Sequence, residues 1–194
     1  MIRIVAGALG GRRLRTPVGL HTRPTAERVR QALFNILGEI ESGCTVWDLY
    51  AGSGALGIEA LSRGAGQAVF VDSDPAACRV LRQNLATLGL SSRARVVEAA
   101  LVRFLGGKSF PAEPADLIFA DPPYASGELP RLLDWLSAHA VECLTRNGRV
   151  VIETDLRNVG DFEVGAQRGV LICTDSRRYG DTVLLFWDVA PHEA

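Results

Sequence analysis

The sequence predicts an α/β protein built on a mostly parallel, seven-stranded sheet with an antiparallel edge. Three observations lead there. From Cys44 onward, short apolar runs alternate with longer segments whose apolar residues recur at helical spacing, and repeated β-α units require parallel strands covered by helices. A glycine-rich turn, Gly52-Ser53-Gly54-Ala55-Leu56-Gly57, separates the first run from the first of these helices. The last two runs, 170–174 and 182–187, have no helical segment between them and so close the sheet as an antiparallel pair.

Taken in order, residues 2–5 alternate into a strand, Gly7 to Gly11 turns, and residues 12–16 return, which reads as a hairpin. After a proline-bounded loop, Thr25 fits a helix N-cap. Ala26, Val29, Leu33, Ile36 and Leu37 then share one helical face, leaving Arg28 and Gln31 outward. Strands follow at 45–49, 68–71, 95–97, 117–120 and 148–153. Helices intervene at 56–63, 75–88, 102–105 and 129–143. Asp74 before Pro75 fits a cap-and-proline helix start. The organisation expected is a hairpin-and-helix extension over residues 1–40 and a main domain over 41–194.

Hydrophobic residues make up 47% of the 194 and charged residues 22%, the balance of a soluble globular protein rather than a disordered one. No apolar run approaches the roughly 20 residues of a membrane helix, and no signal-peptide core opens the chain, so a cytoplasmic protein is expected. Cys44, Cys78, Cys143 and Cys173 are far apart and mostly beside apolar stretches, which predicts buried reduced thiols rather than disulfides or metal ligands. His21, His139 and His192 lie outside every motif and read as surface or packing residues.

The net charge of −1 hides an asymmetry. Residues 1–30 hold seven arginines (Arg3, Arg12, Arg13, Arg15, Arg23, Arg28 and Arg30) against Glu27 alone, giving +6, so the rest carries −7. A basic arm on an acidic body suits contact with nucleic acid, although a solvated arginine-rich surface would look the same.

Two motifs carry chemistry. The apolar run 115–120 ends in Asp121-Pro122-Pro123-Tyr124. Prolines have no backbone donor, so this corner offers a carboxylate, carbonyl acceptors and a flat ring. Two acceptors and a stacking surface suit the exocyclic amine of a planar base, though Asp-Pro-Pro is also an ordinary turn. The second motif, Gly52-x-Gly54-x-x-Gly57 with Asp72 at the end of the next strand, also fits a dinucleotide fingerprint. Asp48 argues against that, because a carboxylate there would repel a pyrophosphate. It suits S-adenosylmethionine, which has no phosphate and carries a sulfonium and an ammonium. The glycines let the backbone of Ala51, Gly52, Ser53 and Gly54 approach the methionine portion, and Asp72 accepts from ribose hydroxyls.

These motifs, with Arg23-Pro24-Thr25, Arg28-Val29-Arg30, Leu33-Phe34-Asn35, the run from Asp48 to Gly64 and Arg178-Tyr179-Gly180, closely resemble the bacterial RsmD family. Its members methylate N2 of one guanine in 16S ribosomal RNA. The resemblance implies the Rossmann-like class I methyltransferase fold and S-adenosylmethionine as donor, giving S-adenosylhomocysteine, without a metal. It implies an assembled or nearly assembled small ribosomal subunit as the partner of a monomeric enzyme. Asp121 and Pro122 would orient the amine, Tyr124 would stack on the base, and Pro123, Arg12, Arg13, Arg15, Arg23, Thr25 and Arg28 would contact RNA. Relatives often carry Asp or Asn at the end of the third strand, where Ala100 stands here. Adenine would then be read by the backbone of Ala100 and Leu101, or by Glu98. Rival readings are a base-amine methyltransferase on another RNA or on DNA, and a non-catalytic RNA-binding assembly factor that kept the fold.

Overall fold

The computed structural model describes residues 1–17, 24–106, 113–122, 127–160 and 162–190. The side chains of residues 24–26 are outside that description. The chain divides into two compact units, Met1–Pro111 and Ala112–Ala194.

In the first unit, β1 (Ile2–Arg3) and β2 (Arg13–Leu14) pair antiparallel, with Ile2 opposite Leu14, as the hairpin reading expects. Helix α1 (Pro24–Leu37) buries Val29, Leu33 and Phe34 and leaves Arg28 and Gln31 exposed. Because α1 begins at Pro24, Thr25 lies inside its first turn rather than before it. Strands β3 (Thr45–Leu49), β4 (Gln67–Asp72) and β5 (Ala94–Glu98) are parallel, in the order β5-β4-β3. Every residue of β3 is buried, which is why this parallel strand does not alternate polar and apolar residues, and Asp48 is buried with the rest. Helices α2 (Ala55–Ser62), α3 (Pro75–Leu88) and α4 (Leu101–Leu105) connect and cover these strands. Trp47 meets Phe104 edge-on at 5.9 Å, packing α4 against β3.

In the second unit, β6 (Ala115–Ala120) runs parallel to β7 (Leu144–Asp155). β8 (Gln167–Arg168), β9 (Leu171–Tyr179) and β10 (Thr182–Val189) follow antiparallel, in the order β6-β7-β10-β9-β8. The expected helix 129–143 is interrupted. It forms α5 (Glu128–Ala138) and one further turn, α6 (Ala140–Cys143), divided at His139, whose φ of −119° leaves the helical range. The His139 ring stacks on Trp135 at 4.2 Å, so this histidine packs. Cys78, Cys143 and Cys173 are buried free thiols and Cys44 is half-buried. Among the described residues no helix is long and apolar enough to cross a membrane.

Candidate active site

The carboxyl ends of β3, β4 and β5 carry the first group of site residues, where α/β sheets bind ligands. The chain leaves β3 through Tyr50, whose φ of 63° is the sole positive value outside glycine among the described residues. Such backbone strain persists where the surroundings hold it, typically at a ligand site. Ala51 N–H then donates to Val71 O (2.9 Å), Gly52 N–H to Asp72 Oδ2 (2.7 Å) and Gly54 N–H to Ala51 O (2.7 Å). The loop is thereby tied to the end of β4. Ala51 and Ser53 are buried, whereas a Cβ built on Gly52 meets nothing within 4 Å, so the loop is open to a ligand at that point. Gly57 serves packing: a Cβ there would lie 2.4 Å from the Phe70 ring.

Both acids of the loop motif are engaged with backbone. Asp48, buried on β3, accepts Gly57 N–H at 2.8 Å, drawing the first turn of α2 onto the strand. Asp72 accepts Gly52 N–H through Oδ2 and Asp74 N–H through Oδ1 (2.8 Å). A carboxylate has about four lone-pair positions, so Asp72 keeps acceptors for a ribose diol. Asp74 caps α3 by accepting Ala76 N–H at 2.8 Å with Pro75 at the first helical position, as its sequence context indicates. Beyond β5, Ala99 N–H donates to Asp72 O (3.0 Å), which brings Ala100 and Leu101 beside the end of β4. Glu98, paired in register with Asp72 at the end of β5, makes an exposed ion pair with Arg82 at 3.1 Å.

In the second unit, Asp121 and Pro122 follow the last residue of β6, with Pro122 buried. Solvent reaches Asp121, yet desolvation by the surrounding protein raises its carboxyl from 3.8 to about 6. Beside it, Pro122, Leu129, Thr154, Asn158 and Phe162 line a cavity of about 140 Å³. Pro123 and Tyr124 lie outside the described residues.

The arm is more integrated than its charge suggests. Arg12, Arg13, Arg15 and Arg28 are exposed, whereas Arg23 and the Thr25 side chain are outside the described residues. Two of the seven arginines are not free charges. Arg3 pairs with Glu27 at 3.1 Å, and Arg30 is buried, donating to Arg3 O at 2.6 Å beside Glu59. Glu59, fully buried on α2, accepts Val5 N–H (2.7 Å), Ala6 N–H (3.0 Å) and Arg63 Nε (2.8 Å). Ser62 accepts Leu9 N–H and donates to Ala6 O. Asn84 of α3 exchanges hydrogen bonds with both backbone groups of Arg15 and donates to Ser53 O, so one side chain joins the arm to the glycine loop. Sequence reasoning gives Glu59, Ser62 and Asn84 no role, since each acts on backbone that is remote in the chain. A buried polar side chain inside an apolar helix face is the only local signal they leave.

The family model described as Conserved hypothetical protein 95 matches residues 2–188. The chain is 38% identical over 157 residues to Ribosomal RNA small subunit methyltransferase D of Escherichia coli strain K12, across 81% of this chain and 76% of that protein. It is 36% identical over 181 residues to YlbH of Bacillus subtilis strain 168, across 93% and 95%. The solved structure of YhhF from Escherichia coli matches with a TM-score of 0.82 and 31% identity, covering 98% of this chain and 99% of that one. SMU.776, solved in complex with SAH, shares the fold at a TM-score of 0.66 and 17% identity, covering 87% of this chain and 50% of that one. With a family model matching residues 2–188 and a relative 36% identical across 93% of its length, this chain belongs to the RsmD family.

Proposed function

We propose that the protein transfers a methyl group from S-adenosylmethionine to the exocyclic N2 amine of a guanine in 16S ribosomal RNA of the small subunit. The observation that carries the reaction type is the Asp121 carboxyl, raised to about 6, followed by buried Pro122 at the end of β6. The relatives named for small-subunit ribosomal RNA methylation supply the substrate class.

The donor supplies an electrophilic methyl on sulfur. Gly52 offers an open stretch of backbone for it, and the remaining lone pairs of Asp72 accept its ribose hydroxyls. A guanine amine is a weak nucleophile because its lone pair is delocalised into the ring. Asp121 accepts one amine N–H and the Pro122 carbonyl the other, which turns the lone pair out of conjugation for attack. Positioning of this kind supplies much of the acceleration. As the N–C bond forms and the S–C bond breaks, positive charge grows on nitrogen. Asp121 stabilises that charge and takes the proton, and its carboxyl near 6 is well matched to the task. Tyr124 stacks on the splayed base, a contact worth roughly 1–3 kcal/mol. Residues 1–40, through Arg12, Arg13, Arg15, Arg23, Thr25 and Arg28, hold the RNA backbone, with Pro123 beside the base. The enzyme works as a cytoplasmic monomer without a metal.

The deciding experiment supplies labelled S-adenosylmethionine with small subunits, deproteinised 16S RNA or duplex DNA, followed by nucleoside mass analysis. N2-methylguanosine from subunits is expected. Methylated adenine or cytosine, or label on DNA alone, overturns the substrate, and no transfer to any of the three overturns the enzyme.

A further inference from the structure

We infer that the outer face of α3 is a second RNA-phosphate surface, continuous with the basic arm; this rests on the RNA-methylation reading above. Helix α3 carries two arginines and no acid. Arg79, Arg82 and Gln83 are exposed at positions i, i+3 and i+4, hence on one face. With Pro75, Ala86 and Glu98 they line an open groove of about 470 Å³.

The arm is fastened to this face. Arg15 Nη1 donates to Gln83 Oε1 at 3.4 Å, and Asn84, one residue on, holds both backbone groups of Arg15 at 2.9 and 3.0 Å. Arg13 and Arg15 are exposed on either side of buried Leu14, so the hairpin cations run on into the helix cations. A row of exposed guanidinium groups on a helix that carries no acid of its own suits the regularly charged backbone of a nucleic acid. Gln83, both donor and acceptor, suits the 2′-hydroxyl that marks RNA. Glu98 is the one anion of the groove, and its pair with Arg82 is half-exposed on both sides. Such a pair contributes about 0–1 kcal/mol, so a phosphate can take Arg82 from it.

The test uses the full chain with Arg79→Ala/Arg82→Ala, and Glu98→Gln as a variant that removes the competing anion. Binding to small subunits and to deproteinised 16S RNA is measured across a salt titration, with S-adenosylhomocysteine affinity by calorimetry. The double variant should lose roughly tenfold in RNA affinity, and its slope of log affinity against log salt should flatten by about 1–2. Glu98→Gln should bind RNA about two- to threefold more tightly, and the double variant should keep its donor affinity. An unchanged affinity and slope in the double variant overturns the inference, and does so while leaving RNA methylation by wild type intact. Loss on subunits alone assigns the face to ribosomal protein and also overturns it. A parallel loss of S-adenosylhomocysteine binding overturns it too, since the arginines would then be supporting the donor loop.

Discussion

Glu59→Gln should be among the most damaging conservative substitutions in the first unit. The carboxylate has no solvent exposure and receives two backbone N–H groups of the hairpin, at 2.7 and 3.0 Å, and the Arg63 guanidinium at 2.8 Å. Glutamine keeps the shape but turns one oxygen into an NH₂, which then faces a donor. Arg30, itself buried and 4.0 Å from the carboxylate, loses its counter-charge. Hydrogen bonds to a charged group contribute about 1.5–3 kcal/mol each. Removing one partner of a buried pair costs about 3–5 kcal/mol. These figures describe overlapping interactions and do not add, so a loss of about 3–5 kcal/mol is expected, a large part of a typical domain's 5–15. Urea unfolding should show a lower midpoint with an unchanged slope, and protease should cut the hairpin sooner. Arg63→Ala, at a partly exposed position, should cost only about 1 kcal/mol. A loss below about 1 kcal/mol in Glu59→Gln would refute the idea that this carboxylate fastens the arm.

If Asp121 acts as the carboxylate, kcat/KM should fall about tenfold per pH unit below its pKa of about 6, and a profile flat down to pH 5 would remove it from the reaction. The same elevation makes the folded state bind more protons than the unfolded one between 3.8 and about 6, so stability falls as pH rises through that window. Asp121→Asn should therefore be inactive yet no less stable than wild type at pH 8, measured by thermal unfolding. Asp72→Ala removes the acceptor for Gly52 N–H and for ribose and should weaken S-adenosylhomocysteine about 10–100-fold by calorimetry; an unchanged affinity would move the ribose elsewhere. Asn84→Ala should cost about 2–3 kcal/mol and raise hydrogen exchange at Arg15 N–H, and unaltered exchange there would show that the arm is held by other contacts.

Elements were legible where their signals are local. The start of α3 follows from Asp74 and Pro75, and in the structure Gly89, with a φ of 71°, ends the helix in the left-handed region. Likewise β3 follows from a short apolar run bounded by Cys44 and a glycine turn. The break at His139 was not legible, because no glycine or proline marks it. Two-residue β8, a strand beyond the seven expected from the sequence, owes its existence to pairing with β9 rather than to strand propensity. Arg30 shows the limit most clearly. Counted along the chain it belongs to the basic arm, but the buried Glu59, 29 positions later, turns it into a core residue. Spacing alone brings Gly52 and Asp72 to notice, and the structure joins them by a hydrogen bond, while the backbone groups that Asp48 and Asn84 engage depend on the folded chain.

The acids of the donor loop thus serve the fold as well as any ligand, and Asp48 allows the two roles to be separated. Its Oδ2 accepts Gly57 N–H at 2.8 Å, an interaction that the oxygen of an asparagine can reproduce. Asp48→Asn should then keep the strand-to-helix tie and leave stability within about 1 kcal/mol of wild type, while removing the negative charge. S-adenosylmethionine carries a sulfonium that S-adenosylhomocysteine lacks, and both carry the ammonium. A carboxylate acting on sulfur predicts a greater loss of affinity for the methylated form, whereas one acting on the amine predicts equal losses. Calorimetry with both ligands separates these outcomes. If neither affinity changes, Asp48 is a packing residue whose charge plays no part in binding the donor.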